Sequence, residues 1–172
     1  MGPKLMSSRR ALLSGAGAAL SLLLIGCSPS NERKAANAAG AGPTGARPRR
    51  LSMIVHRDPG CGCCEAWAEL ARGAGYEVAV RDEADMPAVK RRLGVPANLA
   101  SCHTALVADY VIEGHVPFDR IARLLAARPA GVKGIAVPGM PAGSPGMEMP
   151  DGRSEAFQVL AFDAQGRSFV FA

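Results

Sequence analysis

Asp58-Pro59-Gly60-Cys61-Gly62-Cys63-Cys64-Glu65 places three of the chain's five cysteines in four positions. The segment divides two runs of opposite periodicity, and that junction constrains the fold more than any other stretch. Before it, Leu51-Ser52-Met53-Ile54-Val55-His56 is nearly continuous in apolar residues, which predicts a strand buried on both faces. After it, Trp67, Leu70, Ala71 and Ala74 recur at helical spacing, and Gly75 is placed to end the helix. Three sulfurs therefore sit where a strand hands over to a helix. There, unpaired backbone N–H groups and the positive end of the helix dipole favour thiolate. Glu65 opposes this modestly if it points to solvent.

The next segments extend the pattern. Tyr76, Val78 and Val80 alternate with polar or small residues, as a strand does. Asp85 can cap a short helix carrying Val89 and Leu93, which Gly94 and Pro96 stop. Thr104 to Val107 and Tyr110 to Ile112 read as two strands joined through Ala108-Asp109. Pro117 opens a helix with Ile121, Leu124 and Leu125 on one face, ended before Pro129. The predicted fold is α/β, with the order β-α-β-α-β-β-α of a thioredoxin-like core. Gly134 to Val137 as a short strand, and Phe157 to Phe162 with Ser168 to Phe171 as a hairpin, form an appended C-terminal β segment.

In such a sheet the third strand runs antiparallel to the first, so its start lies beside the first strand's end. That brings Ala100-Ser101-Cys102-His103-Thr104 to the cluster, and the exit of the fourth strand, Glu113-Gly114-His115, to the same edge. Four thiols (Cys61, Cys63, Cys64, Cys102) and two imidazoles (His103, His115) are then candidate ligands of a soft metal ion. The duller reading is a structural disulfide, either Cys61 with Cys64 or one of them with Cys102. A third cysteine between the other two is superfluous for that purpose. His56 reads as a satisfied strand histidine and Trp67 as core. A second candidate element is Val137 to Pro150, with four prolines and three glycines, which excludes a helix or an interior strand. Met147 and Met149 there offer two thioethers; with thiolates, thioethers suit Cu(I), whereas structural zinc sites use Cys and His. The alternative is that they fill gaps beneath the loop.

The N-terminus addresses location. Ser8-Arg9-Arg10 precedes an uncharged run from Ala11 to Ile25, too short and too rich in Gly and Ala for a membrane span of about 20 residues. It fits an export signal over 1–26, with twin-arginine character at Arg9-Arg10. Leu24-Ile25-Gly26-Cys27 resembles a bacterial lipobox, which makes Cys27 the expected lipid attachment; a plain secretory signal is the alternative. Residues 27–50 read as a flexible tether, and 51–172 as one metal-binding domain. The expected location is the periplasmic face of a bacterial membrane. Leader and tether hold eight basic residues and one acid, so of 20 basic and 15 acidic residues the domain keeps 12 and 14, a net of −2. The basic character lies outside the domain, and nucleic-acid binding has no electrostatic support.

Cys-Gly-Cys-Cys after a strand, Ala-Ser-Cys-His-Thr-Ala, Tyr-Val-Ile-Glu-Gly-His-Val-Pro, and Val-Pro-Gly-Met-Pro followed by Gly-Ser-Pro-Gly-Met-Glu-Met together resemble the exported CopG-type copper-resistance family. The resemblance covers essentially all of 51–172. It implies a thioredoxin-like periplasmic domain binding copper through Cys61, Cys63, Cys64 and Cys102, with a role in Cu(I)/Cu(II) redox handling. The leading expectation is a lipid-anchored Cu(I)-binding protein of copper or silver tolerance, taking one or more ions. His103, His115, Met147 and Met149 are its supplementary ligands, and periplasmic copper-handling or redox proteins its partners. The alternative is a thiol–disulfide oxidoreductase using Cys61 and Cys64. Against it, Cys102-His103 stands where such enzymes usually place a cis-proline. A zinc-stabilised adaptor is a third, weaker option.

Overall fold

Two parallel strands lie side by side because a helix carries the chain from the end of one back to the start of the other. Here β1 (Ser52–Arg57), α1 (Gly62–Gly73) and β2 (Glu77–Asp82) form that unit. The structure, a computed structural model, describes residues 50–171. The expected export signal, Cys27 and the expected tether up to residue 49 lie outside the described residues. Cys64, Trp67, Ala68 and Ala71 form the buried stripe of α1, at the spacing that keeps one helical face turned inward. Asp85 caps α2 (Met86–Leu93) by accepting the Ala88 N–H at 2.9 Å, and Gly94 ends it in the left-handed region at φ +72°. A 3-10 turn at Ala97–Leu99 then leads into β3 (Thr104–Val107), β4 (Tyr110–Glu113) and α3 (Phe118–Ala127). The element order up to α3 is the one the periodicity predicts.

The C-terminal strands β5 (Gly134–Ala136), β6 (Leu160–Phe162) and β7 (Ser168–Val170) continue the same sheet rather than forming a separate layer. The seven strands run in the order β2-β1-β3-β4-β5-β6-β7. Between β5 and β6 lies the long connection that contains the predicted methionine loop.

Two apolar clusters pack on the sheet. The larger joins Met53, Val55 and Ile112 to Trp67 of α1 and to Ile121 and Leu124 of α3. Side chains of this size each stabilise by about 2–3 kcal/mol when fully buried. The smaller joins Val95 and Leu99 to Val111, Ala136 and Phe162. Here β1 departs from expectation. Met53 and Val55 are fully buried but Ile54 is 37% exposed, so the strand alternates instead of being covered on both faces. One face of β1 meets α1 and α3, and the other is only partly covered.

The register positions everything that follows. His56 near the end of β1 pairs with Thr104 at the start of β3, and Thr104 pairs with Glu113 at the end of β4. The residues just beyond these three points are therefore neighbours. Among the described residues, no helix is long and apolar enough to cross a membrane.

Candidate metal centre

Cys61 is the N-cap of α1 and makes no side-chain capping bond, so its sulfur is not engaged by the helix end. Cys64 follows three residues later, nearly one helical turn on, and the two are joined by a disulfide across a Cα–Cα distance of 5.4 Å. Cys63 remains a free thiol, 3.6 Å from the Cys61 sulfur. Glu65 does not confront these sulfurs unpaired, because Arg57 reaches it at 2.8 Å and Arg72 at 3.4 Å. Arg57 also donates to the Cys61 carbonyl at 3.3 Å and so ties the cysteine turn to β1.

The remote residues arrive as the strand order requires. Cys102 Sγ lies 4.0 Å from Cys63 Sγ, 3.3 Å from His103 Nδ1 and 2.9 Å from His115 Nε2. Two donor groups result: Cys61, Cys63, Cys64 and Cys102 form one, and Cys102, His103 and His115 the other, each with its ligand atoms within 4.8 Å of one another. Cys102 belongs to both. All four predicted thiols and both predicted imidazoles therefore converge.

Burial sets the protonation of the second group. Cys102 is pushed up to about 12, chiefly by burial and further by neighbouring Cys63, so without a metal it is a neutral thiol. His103 is wholly buried and held well below the ordinary histidine range by that burial, then by His115 and Lys90. His115 is lowered by burial as well, although its bond to Pro145 and the nearby Glu148 work in the opposite sense. Both imidazoles are thus neutral at neutral pH, the form that ligates metals. Nδ1–H of His115 donates to the Pro145 carbonyl at 2.8 Å, which leaves the Nε2 lone pair facing the Cys102 sulfur. A ring nitrogen fixed by a carbonyl on its far side is the usual support of a metal-bound imidazole. His103 Nε2 is buried with no hydrogen-bond partner, an orphan that a core histidine seldom tolerates. Trp67 lies against the same ring at a centroid distance of 4.6 Å.

The methionine loop lies directly on this group. Pro145 holds His115, and Gly146 passes so close to α1 that an added Cβ would stand 2.8 Å from Trp67 N and 3.0 Å from Cys63 O. Met147 N donates to Ser144 O at 2.8 Å within the loop, and Met147 and Met149 are both half-buried. Two readings outside the centre hold. His56 Nδ1 donates to Glu83 Oε1 at 2.6 Å, and Trp67 is fully buried.

Sequence reasoning missed a second ring of residues. Lys90 Nζ and Ser101 N both donate to Glu113 just behind Cys102, and Arg57 stands behind Cys61. One signal was available: Tyr110-Val111-Ile112-Glu113 ends an apolar strand on a carboxylate, which a buried position admits only with partners.

Residues 99–147 match a family model described as a protein of unknown function, DUF411. No curated protein matches. Two solved structures do, both of copper resistance protein copG. The first, form 1, is 47% identical with a TM-score of 0.67, covering 72% of this chain and 97% of that one. Form 2 is 46% identical with the same TM-score, covering 72% and 98%. With this identity over nearly the whole of those proteins, and the cysteine cluster beside Cys102, the chain belongs to the CopG copper-resistance protein family.

Proposed function

We propose that this chain binds Cu(I) in copper tolerance through the thiolates of Cys61, Cys63, Cys64 and Cys102. His103, His115, Met147 and Met149 are supplementary ligands in this reading. The observation that carries it is the sharing of Cys102 between a four-sulfur group and a Cys-His-His group. Soft sulfur donors in that number select Cu(I) over harder ions, and a sulfur common to two groups suits bridging of more than one ion. Loading needs the Cys61–Cys64 bond reduced by an external dithiol, which gives up two electrons and two protons and is itself oxidised to a disulfide; the freed thiols then release their protons to solvent as metal binds. The export signal and Cys27 support a lipid-anchored protein on the periplasmic face of a bacterial membrane, among partners that handle copper or electrons.

Anaerobic Cu(I) titration of the reduced chain tests the proposal, with the Cys61→Ser, Cys63→Ser, Cys64→Ser triple variant alongside. The wild type should bind tightly and the triple variant should lose nearly all binding; equal binding would refute the reading. A second reading, thiol–disulfide exchange at Cys61 and Cys64, draws support from the disulfide they form. Exchange with a model disulfide by metal-free protein, at a rate unchanged in Cys102→Ser, would favour it over copper binding.

A further inference from the structure

Glu113 ends β4 after three buried apolar residues, and no part of it reaches solvent. A carboxylate there is costly unless every acceptor position is used. Its oxygens take Lys90 Nζ at 2.6 Å, Ser101 N at 2.7 Å and Thr104 Oγ1 at 2.6 Å. Lys90 Nζ also donates to Thr104 Oγ1 at 3.1 Å, which closes the network.

The positions of these partners give the network a use beyond charge neutralisation. Ser101 and Thr104 flank Cys102-His103, so one carboxylate holds both ends of the four-residue segment that carries the remote sulfur and its imidazole. The chain leaves Glu113 through Gly114, whose N–H donates to the His103 carbonyl at 3.0 Å, and reaches His115 one residue later. Glu113 therefore joins the two strand ends from which Cys102, His103 and His115 emerge. It is absent from both donor groups and has its oxygens taken up by Lys90, Ser101 and Thr104.

We propose that Glu113, with Lys90 as its counter-charge, is the positioning residue of the centre: its bonds to Ser101 and Thr104 set where Cys102 Sγ stands relative to Cys63 Sγ and His115 Nε2. The consequence for metal rests on the copper reading, but the placement of the sulfur can be measured without metal. A purely stabilising role is the competing account. Buried ion pairs are weak sources of stability, and apolar replacements often match them. What an apolar pair could not do is hold two points of one segment in a fixed direction.

The test uses the full chain carrying Cys61→Ser and Cys64→Ser, so that Cys63 and Cys102 are the thiols left in the centre. Diamide, a two-electron oxidant, takes two electrons and two protons as the Cys63–Cys102 disulfide forms. The rate is read as the linked peptide by mass spectrometry. We expect Glu113→Gln to slow trapping about tenfold, because small displacements of reacting atoms carry large rate penalties. Lys90→Arg, which keeps the charge, should trap at close to the parent rate, while Lys90→Met should slow. All variants are compared well below their Tm values, so a fall in Tm alone does not count. An unchanged trapping rate in Glu113→Gln overturns the assignment. Cu(I) titration of the same substitution in the otherwise native chain should match Cys102→Ser, and adding Cys102→Ser should cost nothing further. Independent, additive losses would likewise overturn it. If trapping slows while the native chain binds no Cu(I), the copper reading fails and the positioning role stands.

Discussion

The cysteine turn on α1 and the Cys-His-His group at the β3–β4 edge meet at Cys102 but are assembled by opposite means. Cys61, Cys63 and Cys64 meet because a single helical turn brings them together, and two of them are bonded. Closing so short a loop costs little chain entropy. Cys102, His103 and His115 meet only through an antiparallel register, the bonds of Glu113 and the loop held by Pro145. In the local half Cys61 and Cys63 are half-buried, Cys64 is fully buried, and two of the three sulfurs are joined in a disulfide. In the remote half both imidazoles are buried and neutral, and the half-buried Cys102 thiol, pushed up to about 12, carries almost no thiolate to attack a disulfide. The disulfide thus lies within the turn, and the network of fixed hydrogen bonds lies at the strand edge.

The largest expected effect comes from switching the local half. The reduced chain should hold Cu(I) at least about a hundredfold more tightly than the Cys61–Cys64 disulfide form, a difference of about 2.8 kcal/mol. Anaerobic competition with a chromogenic Cu(I) chelator measures it, and equal affinities would make the local sulfurs bystanders. The next concerns the contact between halves. Gly146→Ala places a side chain at φ +80° and 2.8 Å from Trp67 N, so thermal unfolding should show a loss of about 2–3 kcal/mol. An unchanged Tm would mean that the loop does not clamp the helix.

Removing one remote donor should act more gently. His115→Ala should weaken Cu(I) binding by about tenfold while leaving the Cys61–Cys64 bond free to form. A loss as large as that of the triple cysteine variant would erase the proposed division. The smallest effect concerns pH and the remote half alone. Folding holds His103 and His115 neutral, below the ordinary histidine range, so the unfolded chain binds more protons in acid. Stability of the metal-free protein should be full above about pH 6.5 and fall as pH drops below it, until the folded imidazoles protonate in turn. Denaturant unfolding across that range checks this, and His103→Gln should flatten the slope.

Much of this was legible in the chain. Helical spacing from Cys64 to Ala71 and alternation in β2 are local patterns, and the capping Asp85 and terminating Gly94 mark their own positions. Given the element order, the arrival of Cys102, His103 and His115 at the cluster follows from strand direction. Other features have no local signature. Lys90 and Glu113 lie 23 residues apart on a helix and a strand, and nothing in either segment names the other. The partial exposure of Ile54 depends on what covers the second face of β1, which the strand cannot specify.

By itself, the sequence determined the α/β order and the strand-to-helix junction that holds three sulfurs, because each depends on neighbours within a turn or two. The tertiary structure decided how those sulfurs divide. Along the sequence Cys61 could pair with Cys64, or either of them with Cys102, and in the folded chain Cys61 is joined to Cys64. That leaves Cys63 facing Cys102. It also decided that Cys102 is shared with two neutral histidines, since desolvation, register and a carboxylate behind the strand edge exist only once the sheet has formed.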